Sequence, residues 1–155
     1  MTPRNATAAV IGAGDFIGAA IARKFAAEGF TVHAGRRQGE KLAPLVADVE
    51  KAGGKISARS LDARKEEDIT AFLQEADRQA PLEVCIFNIG ANVNFPILDT
   101  TERVFRKVWE MACFARFIAG RERRATTVGG VSQRVGGSIR LRLRPQVQGS
   151  GKPQN

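Results

Sequence analysis

The sequence predicts an α/β protein, a three-layer, doubly wound parallel sheet cut down to about four strands, followed by an irregular basic tail. Three observations lead there. Between residues 6 and about 119, short apolar runs alternate four times with stretches of helical periodicity. The first apolar run ends in a glycine-rich turn, Gly12-Ala13-Gly14-Asp15-Phe16-Ile17-Gly18, which opens directly into a helical pattern. Near residue 120 the alternation stops and the composition changes. Strands that alternate with helices pair in parallel through right-handed crossovers.

The elements follow in order. Residues 6–12 read as a first strand, buried on both faces as a central parallel strand should be. Residues 16–28 read as the first helix. Phe30 to Ala34 is a second short strand that ends at the turn Gly35-Arg36-Arg37. Glu40 to Ala52 is amphipathic, with Leu42, Leu45, Val46 and Val49 on one stripe, and Gly53-Gly54 ends it. Lys55 to Leu61 alternates weakly through Ile56, Ala58 and Leu61, as an outer strand would. A helix over 65–79 carries Ile69, Phe72, Leu73 and Ala76, and Pro81 closes it. Leu82 to Asn88 is a fourth strand, with a loop at Asn88-Ile89-Gly90-Ala91-Asn92. Thr100 or Thr101 then caps a helix that runs to about 119.

Bulk composition limits the possible functions. The chain has 155 residues, enough for one domain with a real core, and its 43% apolar content is that of a soluble globular protein. It has no apolar run of membrane-spanning length, and Met1 to Asn5 opens no secretory leader, so a cytoplasmic location is expected. Cys85 and Cys113 lie far apart in apolar segments, which suggests two buried thiols and no metal site. The net charge of +8 is uneven. Residues 1–115 are balanced, whereas residues 116–155 hold nine Lys/Arg against Glu122 alone. The expected organisation is a binding domain over 1–120 and a basic tail over 121–155. Within the tail, residues 136–144 alternate apolar residues with Arg140, Arg142 and Arg144, a pattern equally compatible with an edge strand or with disorder.

The candidate site begins at the glycine turn. Strand, glycine turn and helix in that order form a dinucleotide-binding fingerprint. Glycines let the backbone turn sharply beside a pyrophosphate, and the free N–H groups at the helix start point at that anion. Glycines also serve plain tight turns, so the surrounding context carries this reading. The candidate residues there are Gly12, Gly14, Asp15, Phe16, Ile17 and Gly18. Where strand two closes, an acid would bind the ribose 2′-hydroxyl of NAD. The chain instead has Arg36 and Arg37, 18 and 19 residues after Gly18, and cations suit the 2′-phosphate of NADP. Asp62, after strand three, can face the adenine amino group or cap the next helix. Asn88 and Gly90 lie on the carboxyl edge of strand four, where such sheets bind ligands, although a strand-end turn explains them as well. His33, the only histidine, has no acid or nucleophile beside it in the pattern and reads as structural. Phe105, Trp109, Phe114 and Phe117 have helical spacings that suit core or interface.

Together these residues resemble the short-chain dehydrogenase/reductase family over about residues 6–120. The resemblance rests on Gly12 to Gly18, Gly35-Arg36-Arg37, Leu61-Asp62 and Phe87-Asn88-Ile89-Gly90-Ala91. It implies a Rossmann-like fold and hydride transfer between NAD(P) and an alcohol or carbonyl substrate. It also exposes departures. Phe16 stands where the family has a glycine, and Gly14 is extra. Ile89 and the order Gly90-Ala91 alter the family's Asn-Asn-Ala-Gly motif, and Ala112 falls where the family has a helical Asn. The chain contains no tyrosine, so the family's Tyr-x-x-x-Lys acid/base is missing, and no residue is assigned as catalytic. Ser132 and Ser138 offer no convincing substitute. The break near residue 120 leads to the expectation of a truncated or frameshifted reading frame. The fourth strand would then be an open apolar edge that self-associates, through that edge or through the 100–119 helix. Two other readings stay open: a non-catalytic nucleotide-binding module, or a basic-tailed nucleic-acid binder contacting phosphates through Arg140, Arg142 and Arg144. The tail's lack of stacking aromatics weighs against nucleic acid.

Overall fold

A computed structural model describes residues 2–90 and 94–128. Four parallel strands form one sheet: β1 (Thr7–Ile11), β2 (Thr31–Arg36), β3 (Lys55–Ser60) and β4 (Leu82–Phe87). Their order is β3-β2-β1-β4, so the chain winds outward from β1 in one direction and crosses back to place β4 on its other side. This doubly wound arrangement is the fold class the sequence predicts. β1 is buried at all five positions, and its small side chains Ala8 and Ala9 let helices approach on both faces.

One face is covered by α1 (Ile17–Ala27) and α2 (Ala43–Lys51), the latter preceded by a 3₁₀ turn at Gly39–Leu42. The core there packs Val10, Val32 and Ala34 against Ala19, Ala22, Ala26, Leu42, Leu45 and Val49. The other face is covered by α3 (Glu66–Gln79) and α5 (Ala115–Val128). There Ala9 and Ile11 meet Ile69, Phe72, Leu73, Ala76, Ala115 and Ile118. Burying a side chain such as Phe72 stabilises the fold by about 1.5–3 kcal/mol. The caps agree with the sequence. Gly53 has φ +76, and its N–H donates to the Glu50 carbonyl while that of Gly54 donates to Val49, which closes α2. Thr101 Oγ1 accepts from the Val104 N–H at 3.4 Å and starts α4 (Glu102–Trp109).

Four expectations need correction. β2 runs two residues past Ala34, so Arg36 ends the strand and only Arg37 belongs to the turn. The last helical region does not stop near 119: α4 passes through a π turn at Glu110–Phe114 into α5, which extends to Val128. That π turn rotates the helix face by inserting an extra residue. The buried positions beyond it become Ala115, Ile118 and Ala119, while Phe105, Trp109 and Phe117 are left about half or more exposed. Those aromatics are therefore not core, although Trp109 stacks on Phe114 at 5.6 Å. For the same reason Cys113 is exposed rather than buried; Cys85, on β4, is half-buried. The pattern at 136–144, the serines at 132 and 138, and loop residues 91–93 lie outside the described residues. No described helix is long and apolar enough to cross a membrane.

Candidate cofactor site

β1 delivers the chain to the carboxyl edge of the sheet, where Gly12 turns it with φ +88. A Cβ at Gly12 would sit 2.7 Å from the Asn88 carbonyl oxygen, and one at Gly18 would run into the Gly12 carbonyl. Both positions therefore require glycine, one for conformation and space, the other for close packing of α1 on the turn. Gly14 has open space around its Cβ position. The amides of Gly12 and Ala13 both donate to the Gly35 carbonyl, at 2.8 and 3.0 Å, and fix the turn onto β2. The amides of Asp15, Phe16, Ile17 and Gly18 make none of these turn bonds. Four N–H groups are thus available at the start of α1, an arrangement suited to an anion.

Phe16 looks in the sequence like a break in the glycine spacing. In the structure it precedes α1 with φ −107, outside the left-handed region, and its ring is 87% exposed. No left-handed φ demands glycine there, and the side chain has open solvent to enter. The Phe16 and Ile17 side chains stand in solvent, so these two residues can contribute to the cradle through their amides alone.

Beside the turn lies a cleft of about 320 Å³. It brings together Gly12, Gly14, Arg36, Arg37, Asp62, Asn88 and Gly90 from the carboxyl ends of the four strands. Asp15, Phe16, Ile17 and Gly18 stand outside its lining, at the helix start. Sequence reasoning missed Arg64 and Met111, which also line the cleft. The Asp62-x-Arg64 spacing was the available signal for the first. Nothing in the pattern marked Met111, because the π turn sets its direction.

Two ion pairs organise the charge. Arg36 Nη1 lies 2.7 Å from Asp15 Oδ1, its side chain largely buried and that of Asp15 largely exposed. Asp62 takes Arg64 through both carboxylate oxygens, Nε at 2.9 Å and Nη2 at 2.5 Å, and also accepts the Arg64 backbone N–H at 3.1 Å. The side-chain hydrogen bonds from Arg64 hold the Asp62 carboxyl at about 2, with Arg37 adding to the effect. α3 begins only at Glu66, so Asp62 does not cap it; its side chain grips Arg64 instead. Arg37 is exposed and makes no ion pair within 4 Å among the described residues. Asn88 binds the turn itself: its amide Nδ2–H donates to the Gly12 carbonyl at 3.1 Å and its backbone N–H to Ile11 at 2.8 Å. His33 lies away from the cleft, buried, with Nε2–H donating to Gln79 Oε1 at 2.7 Å. The described residues contain no group of His, Cys, Asp or Glu that could hold a metal.

Residues 6–137 match the family described as short chain dehydrogenase. The chain belongs to this family. Its relatives agree. A hydroxynaphthalene reductase-like protein, Arp2, of Metarhizium robertsii is 31% identical over 99% of this chain and 57% of its own length. The crystal structure of a short-chain dehydrogenase from Rhodopseudomonas palustris is 73% identical, with TM-score 0.80, over 82% of this chain and 60% of that one. A metagenomic short-chain oxidoreductase in complex with NADP, 24% identical with TM-score 0.76 over 82% of this chain and 58% of that one, shares the fold. The chain thus spans little more than half the length of these short-chain dehydrogenase relatives. The family comprises oxidoreductases that bind NAD(P).

Proposed function

We propose that this chain holds a nicotinamide dinucleotide, NADP(H) in preference to NAD(H), and that as it stands it is impaired in the family's catalysis. The observation behind the first part is the cleft lined by Gly12, Gly14, Arg36 and Arg37, with the four free amides of residues 15–18 beside it at the start of α1. The residues fit the group. The amides of residues 15–18 suit the pyrophosphate, and the missing side chain at Gly14 leaves room beside it. Arg37, free of any ion pair among the described residues, suits the 2′-phosphate. Asn88 holds the turn against β4, and Gly90 lines the cleft at the carboxyl edge of that strand. When bound, such a cofactor supplies or accepts a hydride.

Hydride transfer to a carbonyl also needs a proton for the oxygen. The family's tyrosine does that work, and the chain has no tyrosine. Binding without efficient turnover is the consequence.

Titration of the purified full-length chain with NADPH and NADH, followed by nicotinamide fluorescence, tests the reading. Saturable NADPH binding that Arg37→Ala weakens about tenfold or more, with NADH little affected, is expected for loss of a charged hydrogen bond. Absence of saturable binding by the wild-type chain overturns the cofactor reading. Steady turnover on a panel of ketones overturns the impairment.

A further inference from the structure

We infer that Asp15 is a specificity-determining residue: it occupies Arg36 and so weakens the chain's preference for a 2′-phosphorylated cofactor. The inference rests on the cofactor reading above and goes beyond it, since Arg36 and Arg37 at the end of β2 would by themselves suggest two cations working on one phosphate.

The geometry separates them. Arg36 ends β2 and lines the cleft, but its guanidinium is already 2.7 Å from the Asp15 carboxylate, which reaches it from the glycine turn. Arg37 has no ion pair within 4 Å among the described residues. The other carboxylate in the cleft, Asp62, is engaged by Arg64 at two points and acts on Arg37 only from beyond ion-pair distance. Of the two cations at the 2′ position, one is therefore neutralised and one is available.

Two effects of Asp15 compete. The ion pair could pre-organise Arg36 for a phosphate, or its negative charge could repel that phosphate. Magnitudes decide for repulsion. The Asp15 side chain is 67% exposed, and an ion pair with one partner that exposed contributes little to holding a geometry. Arg36 is held by its place at the end of β2 and by burial of its own side chain. A phosphate on the same guanidinium would lie about 4–7 Å from the carboxylate, because a guanidinium is only a few ångströms wide. At that range a charge of about −2 is repelled appreciably even near water, and physiological salt screens it only in part. The unphosphorylated cofactor carries no charge at that position.

Removing the charge should thus improve NADPH binding about three- to tenfold and leave NADH nearly unchanged. The experiment compares dissociation constants for NADPH and NADH in the full-length wild type, Asp15→Asn, Asp15→Glu and Arg36→Ala, with thermal melts as a check on folding. The expected result is a three- to tenfold rise in the NADPH-over-NADH ratio for Asp15→Asn, carried by NADPH. Asp15→Glu should keep the wild-type ratio. Arg36→Ala should weaken NADPH more when combined with Asp15→Asn than alone. An unchanged ratio in Asp15→Asn, with both cofactors still bound, overturns the inference and leaves the cofactor reading standing. Weaker NADPH binding in Asp15→Asn overturns it in favour of pre-organisation. Failure of the wild type to bind either cofactor overturns the cofactor reading and the inference together.

Discussion

At the scale of single residues, the glycines of the turn do different work. Gly18 has no room for a side chain because the Gly12 carbonyl occupies the space, so α1 can dock on the turn only through a bare Cα. Gly14 adopts no left-handed conformation and has nothing within 4 Å of its Cβ position, yet it lines the cleft. The two should separate on mutation. Gly18→Ala must move backbone, and overpacking of this kind costs about 1–3 kcal/mol, or roughly 5–10 °C in Tm at the upper end of that range. Gly14→Ala should leave Tm unchanged or slightly raised, since an alanine restricts the unfolded chain. It should still weaken NADPH binding, because its methyl occupies cleft space. Melting curves and cofactor titrations on both variants check this, and a large loss of Tm in Gly14→Ala would show that the turn is tighter than its contacts indicate. Gly12 and Gly18 were recognisable in the sequence because a strand pattern precedes the turn and a helical pattern follows it. The tolerance of Phe16 was not, since only the structure shows that its φ lies outside the left-handed region and that its ring stands in solvent.

At the scale of elements, the joint between β2 and α3 is built on His33. Its ring lies edge-on to Phe72, at 6.3 Å between centroids, and its Nε2–H donates to Gln79. Burial pushes the His33 pKa below its usual 6.5, opposed in part by the Gln79 hydrogen bond and by the charge of Glu75. The folded protein therefore binds this proton less readily than the unfolded chain. Its stabilising contribution is complete above pH 6.5 and is lost as pH falls from 6.5 toward the lower folded value. Asp62, held at about 2, acts only in far stronger acid, so the two contributions do not overlap. Thermal melts at pH 8 and pH 5.5 should show a fall in Tm for the wild type. His33→Leu should flatten that fall, and an equally steep fall in the variant would assign it to other groups. The same elements show how far the sequence could be read. α3 was clear because Ile69, Phe72, Leu73 and Ala76 keep an unbroken helical period and all are buried. The helical region after residue 101 was misjudged because its period is interrupted. The π turn at 110–114 shifts the phase, so a single stripe drawn through Phe105, Trp109 and Phe117 follows no one face of the real helix.

At the scale of the whole molecule, the sheet is unequal at its two sides. β3 is an outer strand with exposed polar residues, Lys55 and Ser60, which discourage further pairing. β4 is the other outer strand among the described residues, and it is apolar: Val84, Cys85, Ile86 and Phe87 are all half-buried, where their equivalents on β1 are fully covered. The Glu83 carbonyl accepts from Arg123 Nη2 at 3.2 Å, so a side chain from α5 meets one polar group of that strand. An apolar strand with an unpaired edge invites a neighbour, and a second copy of this chain presents the same strand. Sedimentation velocity on the full-length chain between about 1 and 100 µM should therefore reveal species larger than the 16.7 kDa monomer, increasing with concentration. Val84→Lys places an inward-pointing charge on the edge, a device by which natural sheets block such pairing, and should shift the distribution toward monomer. A concentration-independent monomer with a sharp cooperative melt would instead mean that the β4 edge is already covered within one chain. The short-chain dehydrogenase fold of this protein would then be closed by its own residues.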